Sequence, residues 1–249
     1  MSGESLDPSL PGDPKEAFNI GPAYPTLQPL PPPLDTNAEL ITRFQNSCHE
    51  LCRNILGLLG TALKINDEGY LSDRHDQAKG PSGTIFRMLY YPQTSQKEDT
   101  QSIRAGAHSD YGSLTLLFRL PGQSGLQLLT PTNTWVDVPV SPPSTISSAP
   151  PILVNIGDLL SYWTNGLLKS TVHRVTFSGG QERYSMAYFC HPLDEARLEA
   201  VPSKVIEGVG EKGREELGRQ RERLGVSGDE GIITAKEHLE RRLRVTYGI

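Results

Sequence analysis

Apolar positions along the chain fall into two regimes. From residue 36 to residue 59, Leu40, Phe44, Cys48, Leu51, Cys52, Ile55, Leu58 and Leu59 recur at the three- and four-residue steps of one helical stripe. Asp35 or Thr36 supplies the N-cap type of residue just ahead of it. The stripe predicts a helix lying against a sheet. After a loop through Lys79, Gly80 and Pro81, the pattern shortens to runs of β-branched and aromatic residues broken by Gly, Pro, Asn and Ser. The runs Thr84–Tyr91, Ser113–Phe118, Leu126–Leu129, Trp135–Val138, Ile152–Ile156, Thr171–Phe177 and Tyr184–Cys190 predict strands, with no helices alternating between them. Such spacing points to an antiparallel sandwich or barrel. Beyond Glu207 the chain is charged, and helices are expected over Glu211–Leu224 and Ala235–Tyr247.

The first 34 residues are rich in Pro, Gly and Asp, include the run Pro29-Leu-Pro-Pro-Pro33, and have no period; they predict an extended N-terminal arm. One domain is expected over 35–249, with helical support at 35–80, a β core at 84–190 and C-terminal helices at 207–249. Ser141–Pro151, low in complexity, looks like an insertion at a strand connection. Gly 24 and Pro 20 fit a chain that turns often, and the lack of a Gly-X-Y period excludes collagen. With 24 basic against 29 acidic side chains the net charge is −5, which argues against a binder of phosphate backbones. The longest nearly apolar run, Ile55 to Leu63, falls far short of the ~20 residues a membrane helix needs. The acidic, polar N-terminus does not resemble a signal peptide. Cys48, Cys52 and Cys190 are odd in number and there is no Asn-x-Ser/Thr sequon, so a cytoplasmic, monomeric protein is expected. Cys48 and Cys52, four apart on the stripe, read as small buried hydrophobes in preference to a metal pair.

Candidate chemistry is concentrated in His108-Ser-Asp110, His173-Arg-Val and Arg183-Tyr-Ser185, each on or beside a predicted strand. Residues i and i+2 of a strand share a face, so His108 points with Asp110, and Arg183 with Ser185. A lone histidine in a sheet is ordinarily a satisfied polar residue. Here two lie on separate strands, one with a carboxylate at i+2, and together they can form a two-His, one-carboxylate face that leaves open positions on a metal, as in non-haem Fe(II) oxygenases. An Arg facing into a sandwich is costly unless it meets an anion; beside Ser185, Arg183 makes a clamp for a carboxylate. By the same parity Phe189 and Leu89 are candidate pocket residues.

Several other features have ordinary readings. Gly208-Val-Gly-Glu-Lys-Gly213 spells a dinucleotide fingerprint but lacks the strand, apolar helix and βαβ unit that would give it meaning, and reads as a flexible turn. The mixed charges of Arg214–Arg223 and Glu237–Arg244 read as solvated helix faces. His49, His75, His191 and His238 read as surface or capping histidines.

In order along the chain, Asp13-Pro-Lys-Glu-Ala-Phe18, Arg87-Met-Leu-Tyr-Tyr-Pro92, His108-Ser-Asp110-Tyr-Gly-Ser-Leu-Thr115, Gly125-Leu-Gln-Leu-Leu129, Val154-Asn-Ile-Gly-Asp158, Thr164-Asn-Gly166, Ser170-Thr-Val-His-Arg-Val175 and Glu182-Arg-Tyr-Ser185 resemble the isopenicillin-N-synthase-like branch of the Fe(II)/2-oxoglutarate-dependent dioxygenases. The resemblance runs from about Asp13 to the C-terminus. It implies a mainly β fold, a double-stranded β-helix (jelly-roll) core flanked by helices, here with a shortened N-terminal layer. It also implies iron held by His108, Asp110 and His173, and 2-oxoglutarate held by Arg183, Ser185 and Tyr91. The cofactors implied are Fe(II), 2-oxoglutarate as cosubstrate and O2, with ascorbate as a reductant. The expected reaction is hydroxylation, desaturation or cyclisation of a small organic molecule with release of succinate and CO2, and no nucleic-acid or membrane partner. Two alternatives stand beside it: an Fe(II) oxidase whose Arg-x-Ser pair holds the substrate's own carboxylate, and an inactive β-barrel binding module.

Overall fold

The computed structural model describes residues 13–93, 102–143, 146, 149–177, 181–226 and 231–248. Its elements, in chain order, are β1 (Glu16–Ile20), α1 (Pro32–Asp35), α2 (Ala38–Ala62), α3 (Tyr70–Asp73), β2 (Ile85–Tyr91), β3 (Ser102–His108), β4 (Leu114–Arg119), β5 (Leu126–Leu129), β6 (Trp135–Asp137), β7 (Leu153–Ile156), α4 (Asp158–Trp163), β8 (His173–Phe177), β9 (Arg183–Cys190), α5 (Lys204–Glu207), α6 (Glu211–Arg223) and α7 (Ala235–Tyr247). The strands form two sheets, ordered β1-β2-β9-β4-β7 and β3-β8-β5-β6, with antiparallel pairing throughout. This is the jelly-roll core, with helices on its outer flank.

The seven predicted strands are present with ends shifted by a residue or two, and two more join them. β1 lies in the Pro-rich arm and pairs along β2 from Glu16↔Tyr90 to Ile20↔Phe86, so that only Ile20 is fully buried. β3 follows the predicted pattern poorly because its register on β8 shifts twice, between Ile103 and Ala105 and again before His108. The low-complexity loop and the first twelve residues fall partly or wholly outside the described residues.

The long helix α2 packs on the outer face of the five-stranded sheet. Phe44 sits 5.2 Å from Phe86 and 5.0 Å from Phe118, ring centre to ring centre, and Cys48, Cys52 and Leu56 join Leu116, Tyr188 and Cys190 in the main core. The cysteines are buried and free, as small hydrophobes. Leu40 and Leu58 leave the predicted stripe and are exposed. A four-residue step overshoots a turn by about 40°, so Leu40 drifts roughly 120° from Cys52, while Leu58 lies about 200° round from Leu56. The helix begins at Ala38 behind Asn37, without a side-chain cap from Asp35 or Thr36, because Pro32–Asp35 forms a separate turn.

Strand parity divides the main sheet's side chains cleanly. On β9, Tyr188 and Cys190 face α2, while Arg183, Ser185, Ala187 and Phe189 face the second sheet. Between the sheets only Tyr91, Ala105, Val175 and Phe177 form a small apolar cluster, with Leu89 against it. The rest of that interior is a cavity.

The C-terminal helices close one end. The glycine-rich Gly208–Gly213 segment forms the tight connection between α5 and α6 at Gly208–Gly210 and the first turn of α6 at Glu211–Gly213, and no parallel βαβ unit exists among the described residues. The two charged helices are less solvated than their mixed signs suggest. Glu216, Gln220, His238 and Arg242 are buried, the last because it reaches a buried carboxylate, described below. α7 is started by a capping box in which Thr234 and Glu237 each satisfy the other's backbone N–H.

Candidate metal centre and its cavity

His108 ends β3 and His173 begins β8, and the two are paired directly across the second sheet. Their rings come within 4.3 Å, centre to centre. Asp110 follows two residues beyond His108, where the strand has ended, and its Oδ1 lies 3.7 Å from His173 Nε2. One donor atom from each of the three falls within 4.8 Å of the others, and no other such cluster of three occurs among the described residues.

The hydrogen bonds around the three side chains leave their donor atoms free. His108 Nδ1 contacts Gly106 O at 2.7 Å and His173 Nδ1 contacts Thr171 O at 3.1 Å. A carbonyl only accepts, so Nδ1 carries the proton on both rings, and Nε2 is the nitrogen of each that is turned to the cluster. Thr115 Oγ1 and Asn155 Nδ2 both donate to Asp110 Oδ2 at 2.7 Å, which leaves Oδ1 turned to the histidines. Burial, with His173 second, pushes the His108 pKa down to about 3, so its ring is neutral. Burial alone would raise the Asp110 carboxyl, but His173, His108 and the bonds from Thr115 and Asn155 bring it below the ordinary carboxylate range. Two imidazoles presenting Nε2 and an ionised carboxylate with one oxygen to spare fit a divalent iron or similar ion with open positions.

The support reaches further. Asp13 Oδ1 accepts from Gly106 N at 3.0 Å, and its Oδ2 pairs with Lys15 Nζ at 2.9 Å, both side chains nearly inaccessible. The arm therefore fixes the residue whose carbonyl orients His108. On the other side, the backbone N–H groups at 157–159 donate to Ser113, Asp110, Tyr111 and Gly112 carbonyls. Gly157 is needed there, because a Cβ would stand 2.2 Å from Gly112 O.

Across the cavity, Arg183 Nη1 donates to Ser185 Oγ at 3.1 Å and Nε to Ser124 O at 3.2 Å. Its guanidinium lies 5.2 Å from the centre of the Tyr91 ring. Burial lowers the Arg183 pKa from its ordinary value, opposed by the charge and hydrogen bond it shares with Tyr91; the group stays a cation. All six residues singled out in the sequence, His108, Asp110, His173, Arg183, Ser185 and Tyr91, line one cavity, as do Leu89 and Phe189. The metal-binding type of face and the Arg183–Ser185 pair thus share one chamber whose other walls are mostly apolar, with Lys15, Arg87, Thr115, Asn155 and Thr171 among them.

Three of the other four histidines have different places from those expected. His75, His191 and His238 are buried, not at the surface. His75 bridges Leu71 O and Ser113 Oγ, and burial pushes its pKa down to about 3. His191 lines a second cavity beside the three-residue cluster, with its pKa lowered to about 4 by burial against the opposing Asp110 charge. Only His49 is partly open. Sequence reasoning also passed over Thr115, Asn155, Asp13 and Arg87, although the two-residue parity of β2 placed Arg87 in line with Leu89 and Tyr91.

Comparison with known proteins agrees with this arrangement. The sequence pattern of the 2OG-Fe(II) oxygenase superfamily matches residues 82–192. A Schizosaccharomyces pombe protein, UPF0676 protein C1494.01, is 32% identical over 246 residues, which cover 95% of this chain and 66% of that protein. The 2-oxoglutarate-dependent dioxygenase iboH of Amanita muscaria is 33% identical over 184 residues, covering 71% of this chain and 83% of iboH. Among solved structures, a full-length Neurospora crassa protein in complex with alpha-KG and thymine superposes with a TM-score of 0.67 at 28% identity, over 98% of this chain and 71% of that one. This chain therefore spans about two thirds of the length of the Schizosaccharomyces pombe protein.

Proposed function

The chain belongs to the 2OG-Fe(II) oxygenase superfamily, a family of iron- and 2-oxoglutarate-dependent dioxygenases, and on that premise we propose that it oxidises a small organic molecule by hydroxylation, desaturation or cyclisation. His108, Asp110 and His173 hold the ion, and Arg183, Ser185 and Tyr91 hold the distal carboxylate of 2-oxoglutarate. When bound, Fe(II) and 2-oxoglutarate supply an oxidative decarboxylation that gives succinate and CO2 and an oxidant for a substrate C–H bond. One observation carries the reading: the three candidate donor atoms and the buried guanidinium face the same chamber.

The protein's own part is placement. Thr115 and Asn155 tie down one oxygen of Asp110 so that the other faces the ion. Ser124 and Ser185 fix Arg183 in the fork orientation that suits a carboxylate. Leu89, Leu126, Leu128 and Val175 keep water from the space between. Nothing in the cavity requires a proton to be passed by a side chain; binding and orientation are what these residues provide.

The test is succinate release from purified, Fe(II)-loaded protein supplied with 2-oxoglutarate and O2. His108→Ala should abolish release, and Arg183→Ala should raise the 2-oxoglutarate concentration needed by at least about tenfold, the effect of losing one charge-assisted contact. Oxygen uptake that ignores 2-oxoglutarate would remove the cosubstrate from this account.

A further inference from the structure

The inward row of β9 continues past the anion clamp. By the two-residue period it runs Arg183, Ser185, Ala187, Phe189 and on to His191, while β2 places Arg87 opposite Ala187 and Ile85 opposite Phe189. The far half of this row lines a second cavity, of about 300 Å3 and open to solvent on one side. It meets the first at Arg87, His108, Asp110 and Phe189. The three-residue centre is therefore shared, with the Arg183 clamp on one side and this second space on the other. α7 walls that space with Leu239, Leu243 and Tyr247.

Besides the metal-binding residues its polar lining comprises Ser109 and Tyr111, whose hydroxyls are bonded to Asp158 and Thr246, together with Tyr247, Arg87 and His191. Arg87 is held by Nε donating to Asn19 Oδ1 at 2.7 Å, and its guanidinium lies 5.8 Å from the Phe189 ring centre. His191 is 5% exposed and its ring makes no hydrogen bond among the described residues. The ring is gripped between two glycines: a Cβ on Gly112 would stand 2.8 Å from Nε2, and one on Gly83 3.5 Å from Nδ1. The imidazole is thus fixed in place, yet its hydrogen-bonding capacity is unspent, which costs free energy until a partner arrives. From the Arg87–Ala187 pair to His191 is two strand periods, about 13 Å along β9. With a guanidinium reaching in from one end and an imidazole from the other, the space over Phe189 suits a compound of one ring.

We propose that this second cavity is the substrate chamber, and that Arg87 and His191 select a small ring compound carrying a carbonyl or carboxylate oxygen for Arg87 and a second polar atom for His191. The assignment deepens the dioxygenase reading and rests on it. Phe189 would lie under the ring, and α7 would close over its apolar edge.

Titration calorimetry of thymine, benzoate and 4-hydroxybenzoate into protein loaded with Co(II) and 2-oxoglutarate tests the chamber without turnover, with toluene as the ring that lacks an oxygen. At least one oxygen-bearing ring should bind, and toluene should bind at least about tenfold more weakly, the effect of one hydrogen bond. His191→Leu should weaken the oxygen-bearing ring about tenfold, His191→Gln should recover most of the loss, and in turnover the change should appear in KM and not in kcat. Equal binding of all four rings, no binding of any, or an unchanged dissociation constant in His191→Leu would overturn the assignment. If succinate release depends on Fe(II) and 2-oxoglutarate but none of the rings binds, the chamber assignment fails alone. If a ring binds and no succinate is ever released, the dioxygenase reading fails and the role of the cavity as a substrate site goes with it.

Discussion

Asp158→Asn is expected to cost about 3 kcal/mol of folding stability, although it changes one atom and leaves the cavity walls untouched. Asp158 is fully buried at the start of α4 and gathers three partners: Ser109 Oγ donates at 2.9 Å, Arg223 Nη1 at 2.9 Å from α6, and Arg242 Nε lies 3.0 Å away on α7. Removing one partner of a buried pair typically costs 3–5 kcal/mol, because the other charge is stranded. Arg242 has only 8% of its side chain exposed and would be stranded in this way; Arg223, at 22%, can recover part of its hydration. The lower end of that range therefore applies. For a chain of this size about 3 kcal/mol corresponds to a fall in Tm of roughly 6–12 °C, read by calorimetry or by CD melting. The same carboxylate holds Ser109, between the two proposed ligands of one strand end, and the Arg242 guanidinium lies 4.6 Å from the Tyr111 ring centre. Cobalt affinity should then fall along with stability. Arg242→Met in the Asp158→Asn background removes the stranded charge and should restore at least about 1 kcal/mol relative to additivity. A loss below about 1 kcal/mol in Asp158→Asn, or strict additivity in the double variant, would refute the idea that these helices are anchored through a buried charge.

Two other expectations follow from the same geometry. Thr115→Val keeps the side chain's shape but removes the 2.7 Å bond to Asp110 Oδ2, so Co(II) affinity, followed by the ligand-field absorption, should fall about tenfold, the lower end of what loss of an outer hydrogen bond does at metal sites; an unchanged affinity would mean Asn155 alone suffices. Folding stability of the metal-free protein should decline as pH falls below about 6.5. Burial depresses the pKa of both His75 and His238 to about 3 in the folded chain, so the unfolded chain takes up protons that the folded one refuses. Each imidazole then removes up to about 1.4 kcal/mol per pH unit between about 6.5 and 3, and nothing above that window. Urea unfolding from pH 7 to pH 4.5 measures the slope, and His75→Gln should flatten it by about one proton's worth.

The Arg183 end of the cavity was legible because parity is strict along β9, and His108-x-Asp110 with His173 by residue type and spacing, although Asp110 lies beyond the end of β3. His108, Asp110, His173, Arg183 and Ser185 could be grouped from strand spacing, and one cavity collects them. Where the sequence reading went astray, the controlling contact was remote or the regular period was broken. β1 has little core of its own; only its pairing with β2 makes it a strand. β3 carries Arg104 and three small residues at 105–107 and slips register twice on β8, so no clear alternation is there to be read. Charge misled in α6 and α7 for a related reason: Arg223 and Arg242 look like solvent-facing residues until Asp158, distant in sequence, is found beneath them. His191 is the instructive case. It lies on the inward parity of β9, two beyond Phe189, and the adjacent Pro192 suggested a strand end and a surface cap. What settles its burial is the pair Gly83 and Gly112, whose missing side chains leave room for an imidazole. The residues of the metal-binding type of face are thus written in local spacing, whereas those that would choose a substrate depend on absences elsewhere in the chain.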